Sequence, residues 1–340
     1  MTQPENSLQD RLGRPLRDLR ISVTDRCNFR CVYCMPRTVF GAGFRFLPRR
    51  ELLTFEEIAR VARVAVRLGV RKIRLTGGEP LLRSNLEELV ALLAALPGLE
   101  DLALTTNGSL LTPARARALY AAGLRRVNIS LDALDDATFA TVNGVGYPVR
   151  RVLAAVEAAD AAGLRPVKIN MVVKRGLTDQ AVEAMAARFR HTPHILRFIE
   201  FMDVGTANGW DPAGVVPSQE ILERIHRRWP LEPVAGPRLG MVAARYRYRD
   251  GAGEIGFISS VSQPFCSGCT RLRLSPEGRL YTCLFGSAGT DLRTPLRSGA
   301  DDTALTSLLS GVWRDRTDRY SEERAAAPRR ERVEMFRIGG

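Results

Sequence analysis

Residues 18–34 read Asp18-Leu-Arg-Ile-Ser-Val-Thr-Asp-Arg-Cys27-Asn-Phe-Arg-Cys31-Val-Tyr-Cys34. The first part alternates: Leu19, Ile21 and Val23 are apolar, and Arg20, Ser22 and Thr24 between them are polar. Strand side chains point to opposite faces at a period of two, so this run predicts a strand over 19–23 with one apolar and one polar face. The second part is a loop carrying three cysteines. The fold therefore turns on what the polar face of that strand looks at.

Five later runs repeat the pattern, at 72–76, 102–106, 126–131, 166–173 and 195–202. Ile73 and Leu75 alternate with Arg74 and Thr76, and Leu102 and Leu104 flank Ala103, with Thr105 on the Ala103 face. Val127, Ile129 and Leu131 alternate with Asn128, Ser130 and Asp132; Val167, Ile169 and Met171 alternate with Lys168 and Asn170. Helix signals lie between the runs: Thr54 with Glu57 and Ser84 with Glu87 as capping boxes, Pro113 after Thr112, and Gly69, Gly123 and Gly163 at helix ends. Alternating strands and helices predict parallel strands joined by right-handed crossovers. A closed eight-stranded barrel fills its centre with Val, Ile and Leu. Polar inner faces predict instead an open α/β barrel, a TIM-like partial (β/α)6, whose inside holds a polar ligand. We place it at 16–210, behind a flexible segment at 1–15. A C-terminal α+β region follows at 211–324, with helices at 218–229 and 303–313 and hairpins pairing 243–249 with 254–259 and 272–274 with 279–282. A basic tail, 325–340, ends in Gly339-Gly340.

The 340 residues carry 50 Lys+Arg against 37 Asp+Glu, a net charge of +13, with 45% hydrophobic and 26% charged residues. That composition excludes a disordered or fibrous chain. The first ten residues are polar, and no apolar run nears the roughly 18 residues of a membrane span, so the chain reads as cytoplasmic. A basic balance raises nucleic-acid binding, but 313–320 alternates in charge and reads as a solvated helix face. Lys72, Lys168 and Lys174 are the sole lysines, so the arginine excess reads as compositional bias.

All six cysteines fall in two triplets, Cys27-x3-Cys31-x2-Cys34 and Cys266-x2-Cys269-x13-Cys283. In a reducing compartment such clusters bind metal more often than they pair. Zinc needs a fourth ligand, and His191, His194 and His226 lie far along the chain from the first triplet. Three thiolates suit a cubane iron–sulfur cluster with one open iron. A zinc knuckle with a distant ligand, or half a zinc ribbon at the second triplet, stays open as an alternative. Arg271 and Arg273 share one side of the strand after Cys269, and their planar forks suit phosphate.

The first triplet, with Tyr33 before its last cysteine, resembles the radical S-adenosylmethionine (SAM) superfamily, and Thr76-Gly-Gly-Glu-Pro80 is similar to that family's second motif. Within it, the stretch from about Leu16 to Gly340 resembles the GTP 3′,8-cyclase family of molybdenum cofactor biosynthesis. This wider resemblance rests on 18–27, Thr105-Thr-Asn-Gly108, Ser130-Leu-Asp-Ala133, Glu200-Phe-Met-Asp-Val-Gly205 and Phe265-Cys-Ser-Gly-Cys-Thr-Arg-Leu-Arg273. The resemblance implies a [4Fe-4S] cluster on Cys27, Cys31 and Cys34 that cleaves SAM to a 5′-deoxyadenosyl radical, with SAM contacts from Tyr33, Gly78, Ser130 and Met202. It implies a second [4Fe-4S] cluster on Cys266, Cys269 and Cys283 that binds guanine, and GTP contacts from Arg20, Arg74, Thr105, Lys168, Arg271, Leu272 and Arg273. Gly339 and Gly340 are expected to support catalysis from the tail. The implied reaction takes hydrogen from ribose C3′ and joins C3′ to guanine C8, giving (8S)-3′,8-cyclo-7,8-dihydroguanosine 5′-triphosphate. An electron donor, a homodimer and hand-off to the next pathway enzyme are further implications, with no nucleic acid and no membrane. The alternatives are a radical SAM enzyme that modifies peptides and a basic zinc-ribbon protein that binds nucleic acid.

Overall fold

The computed structural model describes residues 8–234, 240–326 and 331–339; Gly340, expected at the site, lies outside them. Six parallel strands appear where the alternation placed them: β1 (Asp18–Ser22), β2 (Lys72–Thr76), β3 (Asp101–Thr106), β4 (Arg126–Ser130), β5 (Lys168–Val173) and β6 (Ile195–Glu200). The C-terminal part adds β7 (Leu231–Pro233), β8 (Ala244–Tyr248), β9 (Glu254–Ile258), β10 (Arg271–Leu274), β11 (Arg279–Tyr281) and β12 (Thr290–Asp291).

Every strand belongs to one sheet, ordered β12-β11-β10-β1-β2-β3-β4-β5-β6-β9-β8-β7. The two expected hairpins do form, β8 with β9 and β10 with β11. They do not build a separate body. β9 pairs in parallel with β6 and β10 pairs in parallel with β1, so the C-terminal region lengthens the arc at both edges. Leu272 and Leu274 continue the apolar row of Leu19 and Ile21, and that shared pattern lets an edge strand dock in register.

Alternation decides which face is covered. Leu19, Ile21, Ile73, Leu75, Leu104, Val127, Ile129, Ile169 and Met171 are fully buried in the core under the helices. The first of those helices, Phe55–Arg67, starts on the expected capping box, with Glu57 N donating to Thr54 Oγ1 (3.1 Å) and Thr54 N to Glu57 Oε2 (2.8 Å). The second expected box fails. Helix Leu86–Ala94 begins one residue later, behind Asn85 at φ 54°, and Arg83 just before it holds the carbonyls of Val23 and Leu53 (2.8 Å each).

Residues 8–15 are packed rather than flexible. Asp10 and Arg14 are buried and ion-paired (2.6 Å), and Trp313 Nε1 donates to the Arg14 carbonyl (3.1 Å). Among the described residues no helix is long and apolar enough to cross a membrane.

Candidate active site

The C-terminal ends of parallel strands present the loops on which barrel sites are built. The first cysteine triplet follows β1 and is stitched down by backbone. Arg30 N donates to Asn143 O (2.8 Å), Val32 N to Val142 O (3.1 Å), and Cys34 N to Cys31 O (3.0 Å). The Arg30 guanidinium holds the carbonyls of Cys27 (2.7 Å), Phe29 (2.8 Å) and Phe40 (2.7 Å).

The Gly77-Gly78-Glu79 turn after β2 lies directly against this loop. Gly78 N donates to Thr24 O (2.8 Å), and any Cβ on Gly78 would collide with the Arg26 carbonyl, so glycine is required there. Buried Glu79 accepts from Thr106 Oγ1 (2.7 Å), Asn107 N (2.7 Å) and Leu81 N (3.0 Å). Burial pushes its carboxyl up to about 7 against those bonds. Asn107, so oriented, sets its Nδ2 2.9 Å from Asn28 Oδ1 and 3.8 Å from Cys27 Sγ. After β4, Asp132 accepts from Tyr33 Oη (2.8 Å) and Val172 N (2.8 Å), which locks Tyr33 in place.

Burial, and then Glu79, push the Cys27 thiol up to about 12. Burial and neighbouring thiols push Cys31 and Cys34 up as well. Three thiolates this crowded are tolerable together only around a cation that they ligate. The second triplet has the opposite bias. Cys269 Sγ accepts from Arg271 Nε (3.3 Å) and Nη2 (3.2 Å) and from Arg316 Nη2 (3.1 Å). Burial alone would raise Cys269, but Arg271 and Arg316 outweigh it and hold the thiol at about 6. Burial raises Cys283 to about 11. Each triplet offers three thiol sulfurs; a cubane takes one thiolate on each of three irons, whereas a structural zinc site needs four ligands, so the donor sets fit a cubane.

Topology separates the triplets. Cys27 follows the end of β1, whereas Cys269 precedes the start of β10, whose Arg271 is level with Asp18 at the start of β1. The four residue steps from Asp18 to Ser22 at ~3.3 Å each put about 13 Å of inner barrel wall between the two ends. That wall is cationic. A cavity with about 900 Å³ of empty space, its open mouth included, is lined by Arg20, Arg74, Arg197, Arg271 and Arg273, by Thr105, Asn170 and Met202, and by all three cysteines of the second triplet. Burial, together with the neighbouring cations, lowers Arg20, Arg74, Arg197 and Arg273. Lys168, on the same face, is held down at about 6 by burial and by Arg197, Arg126 and Arg74. Arg74 Nε, Arg273 Nε and Asn170 Oδ1 are buried without partners. Repelling cations with orphaned donors are what a bound polyanion relieves.

The tail enters this space. Ser22 Oγ donates to the carbonyl of Phe336 (3.0 Å), within helix Met335–Ile338. Arg273 Nη1 reaches Ile338 O (3.1 Å), and both Arg273 and Arg20 Nη1 (3.3 Å) bond the Gly339 carbonyl. Gly339 sits at φ 72°, and a Cβ there would strike the Thr76 methyl.

Residues 21–189 match the Radical SAM superfamily, and residues 194–322 match Molybdenum Cofactor Synthesis C. A GTP 3′,8-cyclase of Acidothermus cellulolyticus is 58% identical over 329 residues, 96% of this chain and 90% of its own length. One of Xanthomonas axonopodis pv. citri is 51% identical and spans 100% of both chains. The chain belongs to the GTP 3′,8-cyclase family. Its fold is also that of Streptococcus suis SuiB bound to S-adenosylmethionine: TM-score 0.61 at 14% identity, over 86% of this chain and 67% of that one.

Most residues singled out for the cyclase site share its inner surface. Arg20, Arg74, Thr105, Met202, Arg271 and Arg273 line the cavity, Lys168 stands on the same strand face, and Tyr33, Gly78 and Ser130 sit at the upper strand ends. The Leu272 side chain does not face that surface. It pairs with Leu19 and is fully buried in the core on the other face, because one residue along a strand reverses the side chain. The sequence reading missed Arg197, although Leu196 and Phe198 flank it in the same alternation. It also missed Arg316, having read 313–320 as solvated; Trp313 and Arg316 are buried, and Arg316 reaches Cys269. No periodic signal marks that contact.

Proposed function

We propose that this GTP 3′,8-cyclase binds SAM at the first triplet and GTP across the cationic cavity to the second, in a radical cyclisation that opens molybdenum cofactor biosynthesis. The observation that carries the reading is the surplus of buried cations, two of them, Arg74 and Arg273, with an orphaned Nε, in a cavity whose wall holds a second cysteine triplet. When bound, the clusters and SAM supply a one-electron cleavage that releases a 5′-deoxyadenosyl radical. The chain's own residues do the rest. Cys27, Cys31 and Cys34 would hold one [4Fe-4S] cluster, and Cys266, Cys269 and Cys283 the other. Tyr33, Gly78, Ser130 and Met202 surround SAM at the strand ends. Arg20, Arg74, Thr105, Lys168, Arg271 and Arg273 take the nucleotide, with Arg197 and Asn170 beside them. The triphosphate neutralises cations that otherwise repel, so the guanine is presented in one orientation and ribose C3′ faces the radical source. Walls that exclude water limit side reactions.

Gly339 and Gly340 complete the pocket wall. An external electron donor reduces the first cluster; a cytoplasmic homodimer that passes its product to the next enzyme completes the proposal. Anaerobic incubation of reconstituted protein with GTP, SAM and dithionite should give 5′-deoxyadenosine and a cyclised nucleotide triphosphate in equal amounts. Formation of 5′-deoxyadenosine that is indifferent to GTP, with GTP recovered intact, would overturn the substrate.

A further inference from the structure

Residues 8–16 close into a turn: Leu16 N donates to Leu8 O (2.9 Å), Asp10 N to Arg14 O (3.1 Å) and Gly13 N to Asp10 O (3.0 Å), with Gly13 at φ 73°. The Asp10 carboxylate fills that turn. Its Oδ1 accepts from Leu12 N and Arg14 N (2.9 Å each); its Oδ2 accepts from Arg14 Nε (2.6 Å) and faces Arg316 Nη1 at 3.5 Å. Asp10, Arg14 and Arg316 are all buried, so two guanidiniums share one carboxylate. Both reach the second triplet. Arg14 Nη1 donates to Cys266 O (2.9 Å) and Asp318 O (2.8 Å). Arg316 donates to Cys269 twice, from Nη1 to its carbonyl (2.7 Å) and from Nη2 to its Sγ (3.1 Å). Arg316 Nε stands 3.5 Å from Asp318 Oδ2, and its guanidinium lies over the Trp313 ring (4.6 Å), whose Nε1 holds Arg14 O (3.1 Å).

Arg271 is the other cation on the Cys269 sulfur (3.3 and 3.2 Å), and it is held differently. Its guanidinium makes no other hydrogen bond among the described residues, and it lines the cavity assigned to the nucleotide. A nucleotide that draws Arg271 away leaves Arg316 in place, fixed by a carbonyl, two carboxylates and an indole face. We propose that Arg316, locked by Asp10 and Arg14, is a positioning residue for the second cluster: its N–H on the Cys269 sulfur raises that cluster's reduction potential. The inference rests on the cluster assignment above and adds the residue that tunes the cluster and the N-terminal turn that braces it. A cubane that takes up one electron gains one negative charge, with no bond or proton changing hands. A fixed cation donating to a ligating sulfur stabilises that reduced form more than the oxidised one, the more so where burial keeps water from screening it.

The test uses full-length protein with both clusters loaded, titrated anaerobically with dithionite against redox dyes and followed by EPR. The second cluster's signal is the one lost when Cys266, Cys269 and Cys283 are all changed to Ser. Arg316→Gln should shift its reduction equilibrium about tenfold toward the oxidised form, about 59 mV for one electron, with iron content and the first cluster's potential unchanged. Arg316→Lys, which keeps the charge and loses the fork, should recover part of the shift. Asp10→Asn keeps an acceptor for Leu12 N and Arg14 N but removes the charge facing Arg316, and it should move the potential the same way by a smaller factor. An unmoved potential in Arg316→Gln at full iron content, or an equal shift of both clusters, would overturn the proposal. Loss of the second cluster's iron from Arg316→Gln and Arg316→Lys alike would overturn it too, leaving Arg316 a structural prop. A wild type that shows one signal only, with zinc at the second triplet, would instead strike the cluster assignment.

Discussion

Lys168 shows what the cationic face costs and what it gives. Its ammonium is driven down to about 6 by burial and by Arg197, Arg126 and Arg74, far under the ordinary lysine value of 10.5. Between those values the unfolded chain binds a proton that the folded chain does not, so stability should rise with pH across that window. Replacing the side chain by Lys168→Met removes a group that folds at a cost, so thermal unfolding at pH 7 should move up. Affinity should move the other way. One charge-assisted hydrogen bond is worth about 1.5–3 kcal/mol, so titration with GTP should weaken on the order of 10- to 100-fold. In wild type, a triphosphate placed beside Lys168 as proposed would restore its proton. Binding at pH 8 should therefore take up protons, visible by calorimetry in buffers of different ionisation enthalpy, and affinity should fall as pH rises above about 6. Proton release, or affinity indifferent to pH, would place Lys168 away from the phosphates.

At the scale of elements, alternation made the strands legible and with them most of the inner face. Leu272 came in with the resemblance rather than with alternation, which turns its side chain into the core beside Leu19. The parallel docking of β9 and β10 onto the two edges was not legible, because register between distant segments is written in their pairing and not in either alone. Long-range contacts to the second triplet were hidden for the same reason. Arg14 donates to the Cys266 carbonyl (2.9 Å) across 252 residues, and Arg316 reaches Cys269 from a stretch that alternates in charge.

The tail is likewise held by distant groups. Buried Asp203 receives Tyr320, Arg324 (2.9 Å) and Arg332 (2.9 Å), and Glu334 accepts from Thr206 N (2.9 Å) and Ala207 N (3.1 Å). Deleting Gly339 and Gly340 should leave iron content intact and abolish GTP conversion; full activity of the truncated chain would refute a role for the tail. Glu334→Ala should reproduce that loss in part, since it frees the tail without touching the cavity lining.

Over the whole molecule, charge and cysteine placement divide the labour. The two triplets stand at opposite ends of the neighbouring strands β1 and β10, separated by a cation-lined wall; in the proposed arrangement a radical made at the top meets a nucleotide anchored from below. Anaerobically reconstituted protein should carry about eight irons and no zinc, in keeping with two cubanes. Changing Cys266, Cys269 and Cys283 together to Ser should leave about four irons, bound at the first triplet alone. A variant left with none would mean that the two sites do not form independently.

The central claim is that GTP lies across this cavity with ribose C3′ facing the SAM end. Turnover of GTP deuterated at C3′ reports on that placement directly, by mass spectrometry of the 5′-deoxyadenosine released. The geometry predicts one deuterium in that product and its loss from the cyclised nucleotide. Unlabelled 5′-deoxyadenosine beside a nucleotide that keeps its deuterium would contradict it.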